Sequence, residues 1–388
     1  MNETSTITHA HTPRKRGAIR RSWPRWIPYA AAVWSLGYGV VALVWTLTGA
    51  GYPLGENDPH PMGLVGRIPA DVGAPIFAAV ALAATAIAAG MARVRTPAVA
   101  VPPWWRRSAL WAGSTLAVVL LAVVPDTRIL AIAGYLPMIV FVAPFDADIR
   151  DKLDGVITAA HVNHVVMIVG GFLWALATLV FARRTAGACE WCGRGGRAVA
   201  GGTAVARTAG TWTTPAAVAR WGRPVTYLAA AIPAFYSLTR WLWAFGVPFG
   251  ITEEFHAQGE AEGAWFAGAW LGSFALVGAV LTIGLVQRWG EVFPPWFPVI
   301  GGRAVPIGLA TVPASIVAAL ATSGGIGMYS QAMADGALEL TADSWGAIGP
   351  TLLWPLWGVA LAAATLAYYL RRRGACVVCG LGGARLTV

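Results

Sequence analysis

Residues 183–193 read Arg-Arg-Thr-Ala-Gly-Ala-Cys-Glu-Trp-Cys-Gly, and residues 371–380 read Arg-Arg-Arg-Gly-Ala-Cys-Val-Val-Cys-Gly. Each stretch follows a long apolar segment, passes through an arginine cluster and ends in a CxxCG knuckle. The four cysteines of the chain, Cys189, Cys192, Cys376 and Cys379, all lie in these two knuckles. Outward from them the correspondence continues. Gly51-Tyr52-Pro53-Leu54-Gly55 is followed by Glu56, Asp58 and His60, and Gly246-Val247-Pro248-Phe249-Gly250 by Glu253, Glu254 and His256. The spacing from Gly51 to Gly246 is 195 residues and from Cys189 to Cys376 it is 187, so one small deletion separates two copies running in the same direction. Parallel repeats of this kind are one building plan of membrane transporters.

Composition gives the class. Hydrophobic residues make up 57% and charged residues 12%, against about 45–50% and about 25% in soluble domains. Twenty tryptophans suit a chain with many membrane interfaces. The apolar segments are 26–49, 71–92, 108–124 and 156–182 in the first half, and 225–247, 263–286, 304–321 and 348–370 in the second. Most reach the roughly 20 residues that cross a bilayer. The expected fold is therefore all-α: a polytopic membrane bundle of two parallel four-helix repeats, about eight crossings. Residues 129–144 are apolar but short, and their counterpart, 325–344, carries Gln331, Asp335, Glu339 and Asp343. They are read as a re-entrant or interfacial piece, with nine or ten crossings as the alternative.

Charge supports four helices per half. With the N-terminus inside, each inside segment is net positive and each outside loop neutral or net negative, as the positive-inside rule requires. An odd number per half would put Arg371–Arg373 or the arginine-rich 183–223 stretch outside. Five regions follow: a basic cytoplasmic tail (1–25), a first membrane repeat (26–183), a cytoplasmic linker carrying the first knuckle (184–223), a second membrane repeat (224–371) and a tail carrying the second knuckle (372–388). The apolar stretch after the tail is too long for a signal-peptide core and is read as the first crossing. Localisation is the cell membrane with both termini cytoplasmic. A basic face beside anionic lipid accounts for the pI of 9.9 without nucleic acid.

Four groups of residues carry candidate chemistry. Cys189, Cys192, Cys376 and Cys379 can form one tetrahedral four-cysteine site for zinc, with iron as a lesser alternative and free thiols as the plain one. His60 and His256, with Glu56, Asp58, Glu253 and Glu254, can bind a divalent ion or relay protons, or simply make polar turns. His161 and His164 share a helix face near a membrane end, where an ionisable pair is a functional candidate by default. Arg240 is a charge within a membrane helix, expected to pair with an outer carboxylate, stack on Trp241 or Trp243, or snorkel. No Walker loop, GxSxG, HExxH or dinucleotide fingerprint occurs, which argues against an enzyme.

The tryptophan- and tyrosine-rich first helix ending in GxP[L/F]G, in an arginine-rich and lysine-poor chain, resembles polytopic membrane proteins of actinobacteria. That resemblance covers the first helix and loop of each repeat and implies no activity. The leading functional reading is a permease-like carrier of a small molecule or ion, its path between the repeats lined or gated by Arg240, His161 and His164. The alternatives are a non-transporting sensor, immunity or assembly factor that contacts a cytoplasmic protein through the linker and C-terminal knuckle, and a membrane enzyme using the His/carboxylate loops.

Overall fold

The computed structural model describes residues 16–95, 101–145, 157–195, 211–334, 341 and 344–382. The basic residues before Arg16, the centre of the linker (196–210), the acidic stretch 146–156, and Asp335, Glu339 and Asp343 lie outside the described residues. The chain is helical: α1 Arg16–Thr48, α2 Ala70–Arg93, α3 Pro103–Val118, α4 Thr127–Phe141, α5 Ala159–Thr185, α6 Pro215–Ala244, α7 Glu253–Ala261, α8 Ala264–Gly284, α9 Ile307–Ala334, α10 Trp345–Leu352 and α11 Trp354–Arg372. Among the described residues the only β pairing is an isolated bridge, Val292 to Ala304.

Seven segments are long and apolar enough to cross a membrane: Ser22–Thr48, Ala70–Arg93, Pro103–Val123, Ala159–Thr185, Ala264–Gly284, Ile307–Ala334 and Trp345–Arg372. The protein is a polytopic membrane protein on that basis. Helix α6 is as long as these and packs along α8 and α11, but Arg240, Pro224 and Pro233 make it less apolar. It begins at Pro215, inside the stretch read as linker, because Thr214 caps it by accepting from the Ala217 amide.

Packing uses small residues, as expected where lipid removes the hydrophobic contrast between helix faces. Ala74, Ala78, Ala81, Ala84 and Ala88 form a buried stripe on α2, and α1 lies along α2. Large apolar side chains such as Val33, Val40, Leu47, Ile76 and Val80 stay exposed on the same two helices, facing where lipid would be. In the first half α1 packs on α2 and α5, and α3 on α5; in the second, α6 packs on α8 and α11, and α9 on α11. The order of neighbours is the same.

Helix ends are pinned alike at the knuckle end of the bundle. Arg184, at the end of α5, is buried and donates to the carbonyl of Val94, the residue that closes α2 (3.1 Å). Arg371, near the end of α11, donates to the carbonyl of Leu285, which closes α8 (2.7 Å). Both arginines satisfy carbonyls that the last helical turn leaves without partners.

The halves differ in their third helix. α3 runs into a π turn at Val119–Val123, where the Val124 amide reaches back to Val119, and the helix stops before Pro125. Asp126 then caps α4 by accepting from the Arg128 amide (2.9 Å). The second half has no such break: α9 continues through Gly324, Gly325 and Gly327 to Ala334. Residues 325–334, expected as part of a separate short piece, are the end of this long helix. α4, at 15 residues, is too short to cross alone. It lies against α9 and touches α8, and so forms the seam between the halves. The close approach needs glycine: a Cβ on Gly324 would sit 3.2 Å from Leu130, and one on Gly327 would sit 2.9 Å from the Thr127 hydroxyl. That hydroxyl donates to the Gly324 carbonyl (2.9 Å).

Candidate metal centre

Each knuckle folds the same way. The Cys189 amide donates to Arg194 O (2.9 Å) and the Gly193 amide to Cys189 O (2.8 Å). In the second knuckle, Cys376 donates to Leu381 O (3.0 Å) and Gly380 to Cys376 O (2.8 Å). The turn closes only with a left-handed residue after the second cysteine, and Gly193 (φ 71°) and Gly380 (φ 72°) supply it. In this tight turn backbone amides point at sulfur: Arg194 N lies 3.4 Å from Cys192 Sγ, and Val378 N lies 3.4 Å from Cys376 Sγ.

The two knuckles meet. All four Sγ atoms lie within 4.8 Å of one another. Cys189 Sγ is 4.0 Å from Cys376 Sγ, and Cys192 Sγ is 3.5 Å from Cys379 Sγ. These separations are too long for disulfides, whose sulfurs sit about 2.05 Å apart. They match the edge of a tetrahedron with metal–sulfur bonds of about 2.3 Å, which is roughly 3.8 Å. The donor set and its spacing fit a four-coordinate zinc, and iron by the same geometry.

Arginines lock the pair together. Arg194, from the first knuckle, donates to Gly374 O (2.7 Å), Leu381 O (2.8 Å) and Arg373 O (3.1 Å) around the second. Arg373 returns a bond to Cys192 O (3.2 Å). Arg183 donates to the carbonyls of Glu190 and Trp191 (both 2.9 Å). Four thiolates and a divalent ion carry a net charge of two minus, and these guanidiniums stand ready to balance it. Thiol acidity is uneven within the cluster. Burial pushes Cys192 up to about 12, against the pull of the Arg194 amide. Burial also works against the Cys376 thiolate, but the amides of Cys379 and Val378 outweigh it and bring Cys376 down to about 7. So crowded a set of thiols does not ionise fully unaided, and a bound cation would supply the missing charge.

The other candidates are placed as follows. Among the described residues the cysteines form the only group of three or more His, Cys, Asp or Glu ligands that converges. His256 is buried, with Nε2 2.9 Å from Trp243 O and its ring stacked on Trp265, so it ties α7 to the end of α6. Glu253 and Glu254 are exposed in the first turn of α7. His60 is exposed, and its amide donates to Asp58. The His60 and His256 loops therefore do not build one ligand set. His161 closes the capping box of α5, its Nδ1 taking the Thr158 amide (3.2 Å). Arg240 stacks over Tyr236 (4.7 Å) and Trp243 (4.3 Å) rather than Trp241, and forms no ion pair with a described residue.

Sequence reasoning missed a second cluster. Asp58, expected as part of an external loop site, is buried and takes a bidentate pair of bonds from Arg128 (2.8 and 2.7 Å). Arg128 also grips Asp126, and Asp126 lies 3.7 Å from Nδ1 of the buried His164. Neither ring nitrogen of His164 has a hydrogen-bond partner among the described residues. Among the described residues, two carboxylates share the one guanidinium of Arg128 in this network. Its only sequence signal was an acid and a base two residues apart beside Pro125, which read as a neutral loop.

No family model, curated protein or solved structure matches this chain.

Proposed function

We propose that this is a tandemly duplicated membrane protein of eight crossings whose halves are clamped by one structural zinc held by Cys189, Cys192, Cys376 and Cys379, and that it works as a non-transporting sensor, immunity or assembly factor. The convergence of two knuckles 187 residues apart on one tetrahedron-sized cluster carries the reading. The duplication is supported by the matching order of helix neighbours, the matching Arg184 and Arg371 bonds, and the identical knuckle turns. α6 supplies the eighth crossing. The arginines that flank the helix ends gather at the knuckle end, which supports a cytoplasmic side for that end. Val377, Val378 and Leu381 are exposed at the tip of the second knuckle and give a protein partner an apolar contact.

Elemental analysis of the detergent-purified protein tests the clamp. About one zinc per chain is expected, absent when all four cysteines are changed to serine. Iron in place of zinc would change the metal but keep the clamp, and no metal in the wild type would end the reading.

A permease-like carrier is the second reading, and the Asp58–Arg128–Asp126–His164 network favours it, since buried ionisable groups in a membrane bundle often mark an ion path. Proteoliposomes loaded with a pH-sensitive dye test it. Proton uptake that Asp126→Asn abolishes would support the carrier, and equal traces for protein-free and protein-loaded vesicles would assign the network to structure.

A further inference from the structure

The second half contains a cavity of about 810 Å3 between α8, α9 and α11, in the size range of small-molecule sites, about 300–1,000 Å3. Its floor at the knuckle end is the loop that joins α8 to α9, which brings Trp289, Phe293 and Phe297 into the wall. Its rim includes Val280, Leu281 and Leu309, each more than half exposed on the outer faces of α8 and α9. The wall is almost wholly apolar; the hydroxyl of Thr282 is spent on Gly278 O (2.8 Å) within its own helix. Trp289 lies against α8 there, so that a Cβ on Gly284 would meet its ring at 2.4 Å, much as a Cβ on Gly90 of α2 would meet Trp105 of α3 at 2.7 Å in the first half. Protein interiors are close-packed, so a void of this size between membrane helices is filled from the solvent its rim faces. Here that solvent is hydrocarbon.

The loop also carries charge. Arg288 and Arg303 are exposed in this loop, one next to Trp289 and the other two residues before Val305 of the lining, and neither pairs with a described acid. Glu291, between them in sequence, is already held by Arg371 (2.7 Å). Two cations without an acidic partner among the described residues therefore belong to the loop that floors a hydrocarbon-lined slot. We infer that the cavity is a binding site for one acidic glycerophospholipid, an acyl chain lying between α8 and α9 and the phosphate at Arg288 and Arg303. The inference rests on the membrane reading but not on the zinc clamp.

Native mass spectrometry of the detergent-solubilised protein, titrated with dioleoyl phosphatidylglycerol or dioleoyl phosphatidylcholine, tests it. Gly278 lines the cavity, and a Cβ at that position would have no neighbour within 4 Å, so Gly278→Phe starts from open space and puts a ring toward the slot. The wild type is expected to hold one phosphatidylglycerol at least about tenfold more tightly than phosphatidylcholine, and Gly278→Phe to lose that affinity at an unchanged Tm. The double variant Arg288→Gln, Arg303→Gln is expected to bind the two lipids alike. Should Gly278→Phe lower the Tm, Ala310→Phe fills the same slot from α9 and decides the point. Equal retention of phosphatidylglycerol by wild type and the filled variants, or no preference in the wild type, overturns the site. Recovery of the protein in the buffer fraction rather than with membranes would instead sink the membrane reading beneath it.

Discussion

The first half of the bundle keeps its charge inside and the second half keeps a void. In the first, the third helix stops at Pro125, and Asp126, Arg128, Asp58 and His164 meet in a buried network. In the second, α9 runs unbroken on glycines, the one embedded cation is Arg240 among the described residues of α6, and an apolar cavity opens between α8 and α9. Yet the helix neighbours, the arginine bonds at the helix ends and the knuckles are shared. Backbone packing and end-pinning are alike in the two halves, while the contents of their interiors differ. Under the proposed duplication, polar specialisation in one half and apolar specialisation in the other is what two copies permit once each has a partner to lean on.

The largest effect that tests this contrast is at Arg128. Arg128→Leu leaves two buried carboxylates without a cation and is expected to cost about 3–5 kcal/mol, seen as a large fall in Tm in detergent. An unchanged Tm would show that the first-half network is hydrated rather than buried. Acid probes the same bond. Burial alone would raise the Asp58 pKa, but the Arg128 hydrogen bonds prevail and hold it below the usual carboxylate range. A carboxylate depressed on folding stabilises above its unfolded pKa and loses that contribution as pH falls through the folded one. The wild-type Tm is therefore expected to drop below about pH 4, and Arg128→Leu to flatten that drop.

Next comes the seam. Gly327→Leu drives a side chain into Thr127 and is expected to cost about 1–3 kcal/mol by overpacking. Arg240→Leu should cost less, about 0.5–2 kcal/mol, because it removes stacking on Tyr236 and Trp243 and strands no buried partner. A loss at Arg240 as large as that at Arg128 would erase the distinction between the halves. Thr127→Val, which deletes one hydroxyl-to-carbonyl bond across the seam, is expected to cost about 1 kcal/mol. All three are read from thermal melts of the purified variants.

Much of the architecture was legible in the chain. Apolar runs of membrane length mark the helices, and the segment 129–144 is short in sequence and short in the fold, as α4. The cysteine cluster was legible because its two halves repeat a motif that only makes chemical sense when joined. The buried ion network was not, since Asp58, Asp126, Arg128 and His164 come from three separate parts of the chain and share no motif. The continuation of α9 past residue 321 was hidden by Gly324, Gly325, Gln331 and the polar residues beyond, which weaken an apolar reading while the backbone stays helical. His256 looked like a ligand because its true partner is a main-chain carbonyl, which no sequence pattern records. The cavity has no signature at all, since its wall is made of the same apolar residue types that fill a packed interior.

The spacing of the two knuckles also has a meaning in time. At about 5–20 residues per second, the ribosome needs roughly 10–40 s to make the 187 residues between Cys189 and Cys376. Through that interval Cys189 and Cys192 stand as an open pair while the second half is threaded into the bilayer. Closure of the four-sulfur cage is therefore a late event in biosynthesis, and a chain stalled or misinserted in its second half would be distinguished by two uncapped thiols.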